Sequence, residues 1–320
     1  MNEFELIKKY FKKLSNNNPA AKKLNDDVFF DKKKKLVVSV DTYNEGIHFP
    51  NFKYPDLITK KIIRSSISDL YSKGVKPYYY FVSGSGNKKK FTNKNLKLII
   101  KSLKSEQNKY RIKLSGGDTT NSSKVSFTIL VIGFSKHITE RNKARLNDDI
   151  YVTGDIGDSF IGLMIIKNKI KIDYKFKKYF INRFYCPKIP YKFYKEFHKF
   201  ANTSIDISDG LISDLNKLIN TQKLSYEIDI NKIPISNNLK NYLKKNKKSK
   251  KHYLFNGDDY QILFTASKNK RSLIKSIGRR LNQKFTIIGK VINLKKKKMI
   301  KLDNKPQNLS KFEGYFHKFW

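Results

Sequence analysis

Only one cysteine, Cys186, stands in the 320 residues, which excludes an intrachain disulfide framework and a cysteine-based zinc cluster. No apolar run reaches the ~20 residues that a membrane-spanning helix needs. The opening Met1-Asn2-Glu3-Phe4-Glu5 also lacks the basic-then-apolar layout of a signal peptide, so a cytoplasmic protein without a membrane partner is expected. Glycine (15) and proline (8) are sparse. The glycine-built phosphate loops are missing: there is no Gly-x-x-x-x-Gly-Lys-Ser/Thr, and no Gly-x-Gly-x-x-Gly at a strand–helix junction. Gly84-Ser85-Gly86-Asn87-Lys88 has the wrong spacing and reads as a flexible loop. His48, His137, His198, His252 and His317 accompany no nucleophile signature, and protein-kinase motifs are absent. Scarcest against its opposite is negative charge, with 27 Asp plus Glu facing 68 Lys plus Arg.

The resulting net charge of +41 invites a nucleic-acid reading. Yet Lys, Asn and Ile are abundant everywhere, as expected if an A/T-rich coding sequence pushed surface positions towards lysine. The runs Lys32 to Lys35, Lys88 to Lys90, Lys244 to Lys251 and Lys295 to Lys298 lie mostly between strand-like or helix-like segments, where they read as solvated charge. No RNA-recognition signature or aromatic-interleaved basic groove is evident, so no nucleic-acid partner is expected. The positive field should still attract phosphate-bearing substrates, more so at low salt.

What is present is an alternation of short strands and helices over a length that favours two domains. Residues 3–14 carry Phe4, Ile7, Phe11 and Leu14 on one helical stripe. Leu36 to Val40 reads as a strand ending at Asp41, and 56–73 as a helix stopped by Gly74 and Pro77. Tyr78 to Val82, Arg111 to Leu114 and Val125 to Phe134 read as strands, with a Lys-rich helix at about 92–108. The polar stretch 135–148 is the boundary, giving domains 1–137 and 138–320. Beyond it come strands at Asp149 to Thr153, Thr203 to Ile207, 224–230, 261–266 and 285–291, with helices at Gly157 to Ile166 and Ser208 to Leu218. The fold class is α/β with α+β character and mixed sheets.

Against the basic background stand five acidic clusters: Asn25-Asp26-Asp27, Val40-Asp41-Thr42, Ser68-Asp69, Gly116-Gly117-Asp118-Thr119-Thr120 and Asp206-Ile207-Ser208-Asp209-Gly210. Oxygen ligands without a His/Cys cluster suit Mg²⁺, which prefers to bridge phosphates. Gly116 and Gly117 would let the backbone approach a phosphate, although Gly-Gly-Asp is also a common tight turn. Ser208 or Asp209 would cap the following helix, which leaves Asp206 unexplained by capping. A helix N-terminus there would also favour phosphate. Asp69 sits late in its helix, where the macrodipole disfavours an anion, so a metal role accounts for it better than solvation. Asp26-Asp27 alone reads as a turn before a strand.

Taken in order, these clusters resemble the thiamine-monophosphate kinase family, within the aminoimidazole-ribotide-synthetase-like superfamily. The likeness runs nearly end to end: Glu5-Leu6-Ile7 to Phe11, Asn25-Asp26-Asp27, Val40-Asp41-Thr42 with Glu45-Gly46-Ile47-His48-Phe49, and Ser68-Asp69-Leu70 to Gly74. It continues through Gly116 to Thr120, Tyr151-Val152-Thr153-Gly154 with Gly157-Asp158, Ile205 to Leu215, Gly257-Asp258-Asp259-Tyr260 and Gly314-Tyr315. The resemblance implies an ATP/Mg²⁺-binding N-terminal domain that dimerises through its sheet, a C-terminal α/β domain, and a homodimer. It implies that ATP phosphorylates thiamine monophosphate to thiamine diphosphate by Mg²⁺-assisted in-line transfer. The implied metal residues are Asp27, Ser39, Val40, Asp41, Asp69, Asp118, Asp206 and Asp209, with Asp118, Asp206 and Asp209 the most critical. Gly117, Asp118, Arg141 and Ser208 would meet ATP, and His48, Asp258 and Phe312 the thiamine phosphate.

The chemistry fits that implication. Joining two anionic phosphates demands concentrated positive charge, and a phosphate oxygen needs no general base to remove a proton. Arg141 would add a fixed guanidinium. Asn25, Val40 and Asp258 depart from the family's usual Gly, Thr and Glu. Selenophosphate-synthetase-like and hydrogenase-maturation relatives would carry a reactive cysteine near the N-terminus or in the tail, and this chain has neither. An aminoimidazole-ribotide-synthetase-like ATP enzyme remains the alternative. From another class, so does a basic nucleic-acid-binding protein on a retired enzyme fold.

Overall fold

The computed structural model describes residues 1–294, 299–302, 305–307, 314, 315, 317 and 319. Phe312 and the run Lys295 to Lys298 lie outside the described residues. Two mixed sheets organise the chain. The first has the order β1-β2-β5-β3-β4, from Phe29–Asp31, Leu36–Asn44, Ser126–Phe134, Pro77–Gly86 and Lys113–Asn121 respectively. The second has the order β12-β11-β8-β10-β6-β9-β7. Its strands are β6 (Asp149–Thr153), β7 (Thr203–Asp206), β8 (Leu224–Asp229), β9 (Ile262–Ala266), β10 (Phe285–Asn293), β11 (Met299–Leu302) and β12 (Lys305–Pro306). The helices are α1 (Glu3–Leu6), α2 (Pro55–Ser72), α3 (Asn93–Tyr110), α4 (Asp158–Ile166), α5 (Tyr174–Tyr185), α6 (Tyr194–Phe197), α7 (Leu211–Leu218), α8 (Asn237–Lys245) and α9 (Arg271–Leu281).

Helix α2 is the pivot of the molecule. Pro55 opens it at a position where a missing N–H costs nothing, and Gly74, with φ +74°, ends it in a left-handed turn. Ile58, Ile62, Ile63, Ile67, Leu70 and Tyr71 are buried along it, each contributing about 1.5–3 kcal/mol relative to exposure. It packs on β2 and β5 of the first sheet and also reaches β7 and α5 of the second half. The first core therefore includes Phe184, Tyr185 and Ile189 from beyond the polar boundary. A helix wedged between two sheets fixes its polar residues relative to both.

Three sequence expectations need correcting. The Phe4, Ile7, Phe11 and Leu14 stripe does not form a buried face: Phe11 is half exposed and Leu14 is 83% exposed. Beyond α1 the coil widens over Ile7–Phe11 and tightens over Lys12–Ser15, which breaks the 3.6-residue period. Gly84 to Gly86 belong to β3 rather than to a loop, because they pair with Thr119 to Asn121 on one side and Ser85 with Ser126 on the other. Gly116-Gly117-Asp118 is extended strand in β4, not a turn. A Cβ on Gly117 would come within 1.8 Å of the Val82 carbonyl oxygen, so glycine there serves strand contact. The Lys32 to Lys35 run is exposed between β1 and β2, as read.

Candidate active site

The two sheets meet α2 at a cavity of about 640 Å³. Strand alternation turns Ser39, Asp41 and Tyr43 of β2 towards α2, and Val38, Val40 and Thr42 the other way. Asp69 faces them from the last turns of α2, Asp206 from the end of β7, and Asp27 from the turn before β1. One carboxylate oxygen of each of Asp27, Asp69 and Asp206 lies within 4.8 Å of the others. Ser39 Oγ donates to Asp69 Oδ2, and Tyr43 shares a 2.9 Å hydrogen bond with Ser66. Asp41, Asp209, Ser208, Arg141, His48 and Asp258 line the same cavity, as does Val40.

Crowding of buried carboxylates shows in their proton affinities. Burial, together with Asp209, raises Asp41 to about 6. Burial, then Asp214 and Asp41, raises Asp206 to about 7. Asp69 is pushed well above the ordinary range by burial and by Asp41 and Asp206. An all-oxygen donor set with this much unrelieved charge fits Mg²⁺, which would displace the protons. The sign for stability follows from linkage. These folded-state values lie above the unfolded ones, so the folded protein holds extra protons, and metal-free stability falls as pH rises from about 4 through about 7. Thermal melts in EDTA should therefore give a lower Tm at pH 8 than at pH 5, by an amount on the order of a few kcal/mol in stability. Added Mg²⁺ should raise Tm more at pH 8 than at pH 5. A metal response independent of pH would mean that these carboxylates do not take the ion.

Fixed cations complete the site. Asp27 is gripped by Arg141 through its guanidinium and by Lys73 at 2.5 Å. Lys217 binds Asp209 and, at 2.8 Å, Asp214, with the Phe4 ring 5.0 Å away. The capping expectation for Ser208 and Asp209 is overturned, because α7 begins only at Leu211 with Gly210 as its cap. Asp214 reaches back and accepts the backbone N–H groups of Ser208, Asp209 and Gly210 at 3.0–3.1 Å. Those N–H groups are thus committed to a carboxylate, while Ser208 and Asp209 line the cavity.

The opposite wall is built by Gly257 to Tyr260. A Cβ on Gly257 would lie 1.7 Å from the Ser208 carbonyl oxygen, so only glycine lets this segment dock on the β7–α7 loop. Asp258 and Tyr260 adopt positive φ of 66° and 49°, a strained backbone for such residues. Asp258 accepts from Lys61 at 2.5 Å and from the Tyr260 hydroxyl at 3.1 Å. His48 Nδ1 accepts the Asn44 N–H at 2.9 Å, and burial with the neighbouring His317 lowers its pKa to about 4. His48 is therefore neutral near pH 7, with its proton on Nε2.

Gly117 and Asp118 are not brought to this cavity; they sit exposed on β4. Phe312 is outside the described residues. Lys61, Lys73 and Lys217 went unremarked in the sequence, and Asp214 and Tyr260 stood only inside matching segments with no role assigned. In a chain with so many lysines a buried one carries no local mark, although Lys61 interrupts the apolar stripe of α2.

Comparison with known proteins supports the two-domain fold. Residues 24–135 match the N-terminal domain of the AIR synthase related proteins, and residues 147–301 match their C-terminal domain. The thiamine-monophosphate kinase of Buchnera aphidicola from Acyrthosiphon pisum is 32% identical over 335 residues, covering 98% of each chain. A solved structure of AaThiL complexed with AMPPCP and TMP has a TM-score of 0.85 and 28% identity, covering 99% of this chain and 97% of that one. The crystal structure of thiamine monophosphate kinase from Aquifex aeolicus has a TM-score of 0.81 and 29% identity, covering 95% and 97%.

Proposed function

The chain belongs to the thiamine-monophosphate kinase family, and from that premise we infer that its cavity joins a phosphoryl group of ATP to the phosphate of thiamine monophosphate, releasing ADP. The observation that carries this reading is the meeting, in one cavity, of carboxylates from β2, α2 and β7 with fixed cations beside them. Asp27, Asp41, Asp69, Asp206 and Asp209, with Ser39 and the Val40 carbonyl, would hold Mg²⁺. Bound there, the ions would withdraw charge from the two phosphates and align them for in-line displacement.

The chain's own residues supply the rest. Arg141, pinned by Asp27, presents a guanidinium whose orientation is set before ligand arrives. His48 offers an Nε2 proton to the acceptor and keeps it at neutral pH. Asp258, held by Lys61 and Tyr260, offers a carboxylate to the cationic and amino groups of the thiamine rings. Phe312 keeps its expected place at the acceptor in this reading. A phosphate acceptor is already deprotonated at neutral pH, so this reading needs no group to remove a proton from it. A reaction that draws on ATP is placed in the cytoplasm.

Among the described residues β4 pairs only with β3, and β1 covers β2 only along Leu36 to Val38. Both outer edges are otherwise free, and the sheet face away from α2 carries Val38, Val40, Tyr79, Phe81, Leu130 and Ile132 in two cross-strand rows. In a homodimer, β4 of one protomer would run along the free edge of its partner's β2 and close the two sheets into a barrel. Gly117 and Asp118 would then reach the partner's Asp41, which they cannot do within one chain, three strands away.

The direct test is ADP release with ATP and Mg²⁺ against thiamine monophosphate, free thiamine and aminoimidazole precursors. Thiamine diphosphate should form from the monophosphate, with thiamine at least about 100-fold slower because its hydroxyl lacks a base. Comparable turnover of thiamine, or of an aminoimidazole precursor, would sink the assignment.

A further inference from the structure

Lys73 is the C-cap of α2, a place where any residue with a tolerant backbone would end the helix, yet its ammonium is turned inwards and is 0% exposed. All three of its hydrogens are used. They go to Asp26 Oδ1 at 2.7 Å, Asp27 Oδ2 at 2.5 Å and the Ser204 carbonyl at 2.8 Å. The backbone is equally constrained: its N–H bonds to the Leu70 and Tyr71 carbonyls, and its own carbonyl accepts from Thr139 N–H at 3.1 Å. A buried ammonium is costly unless its partners are fully arranged around it. Here they are.

We propose that Lys73 is a resident counter-ion of the acidic cavity, a positioning residue that holds Asp26 and Asp27 and sets how tightly the neighbouring carboxylates take a divalent cation. Charge counting supports it. Lys73 and Arg141 balance Asp26 and Asp27 before any metal arrives. Lys217 serves Asp209 and Asp214. That leaves Asp41, Asp69 and Asp206 without an ion-pair partner within 4.0 Å among the described residues, and it puts the strongest metal attraction on them. Asp69 lies one helical turn before Lys73 on the same helix, and Asp27 shares its oxygen cluster, so the ammonium and an incoming Mg²⁺ repel at short range. The lysine thereby keeps the cavity assembled without metal and weakens the hold on Mg²⁺. This inference rests on reading the cluster as a divalent-cation site.

The test uses opposite charge changes at one contact, read as Mg²⁺ binding to the full-length protein without nucleotide, by calorimetry and by the rise in Tm. Lys73→Met removes the repelling charge and should lower half-saturating Mg²⁺ about tenfold, while lowering Tm in EDTA. Asp26→Asn keeps the lysine and removes its counter-charge, so half-saturating Mg²⁺ should rise about tenfold. The pair combined should return within roughly threefold of the wild type. A lysine that merely braces the fold would weaken Mg²⁺ binding in both single variants or change it in neither, and either result overturns the proposal. Should Lys73→Met fail to fold, Asp26→Asn decides alone: unchanged or tighter binding rejects the idea. A wild-type protein that takes up no Mg²⁺ rejects it too. Mg²⁺ shifts of the expected sign with no ADP from thiamine monophosphate would instead remove the kinase assignment and leave Lys73 in its role.

Discussion

Asp206→Asn is expected to lower kcat at least about 10³-fold while leaving the metal-free protein as stable as the wild type, or more stable. Asp206 ends β7 with its carboxylate buried against Asp41 and Asp69, and burial with the charges of Asp214 and Asp41 raises its pKa to about 7. The amide keeps the size and removes the charge. In EDTA at pH 8 that relieves repulsion, so Tm should hold or rise. With Mg²⁺ the same substitution removes a ligand from the cluster it shares with Asp27 and Asp69, and most of the metal-induced rise in Tm should vanish together with turnover. The two readouts separate chemistry from folding. Activity within tenfold of wild type at limiting Mg²⁺ would end the metal assignment for this residue. A drop in Tm in EDTA would mean that the carboxylate supports the fold instead.

How far the sequence carried depended on whether a feature was local. Helix α2 was readable almost to the residue because the apolar spacing and the stop at Gly74 are signals within the segment itself. Most strands of both sheets were readable for the same reason, as short apolar runs between polar stretches, but β11 and β12 were not read. Nine of the implied site residues, Asp27, Val40, Asp41, His48, Asp69, Arg141, Ser208, Asp209 and Asp258, line one cavity with Asp206 although they are scattered along the chain. Elementary spacing could not have grouped them; the ordered resemblance did. What failed was of another kind. Gly-Gly-Asp looks like a turn locally, yet pairing with β3 over Lys113 to Asn121 outweighs that preference and makes it strand. Ser208 and Asp209 look like caps, yet a carboxylate inside the helix, Asp214, takes the loop's N–H groups. Lys61 and Lys73 were invisible because their partners lie far off in sequence, Asp258 for one and Asp26 with Ser204 for the other.

Mixing two inactive variants should restore activity if β4 completes the partner's site. Asp118 is exposed on β4, and the cavity that collects Asp41, Asp69 and Asp206 does not include it. The register explains the distance: Asp41 is opposite Ile129, Ile129 opposite Val82, and Val82 opposite Gly117. Three strand spacings, about 14 Å, therefore separate Asp41 from Gly117 within one chain. A second copy, laid edge to edge against β2 as proposed, would shorten that gap. Asp118→Asn and Asp206→Asn should each abolish turnover when pure. After co-refolding or subunit exchange at equal amounts, half the dimers carry one of each subunit. In those, one site combines an intact Asp206 with an intact Asp118 from its neighbour, so the mixture should recover about a quarter of wild-type activity. Were Asp118 to act within its own chain, both sites of the mixed dimer would lack a carboxylate and the mixture would stay inactive. Size measurements on each pure variant and on the wild type must show a dimer, since a fully active wild-type monomer would remove the shared edge altogether. Recovery near a quarter, seen only after exchange and not on simple mixing in the cold, would place Asp118 across the interface.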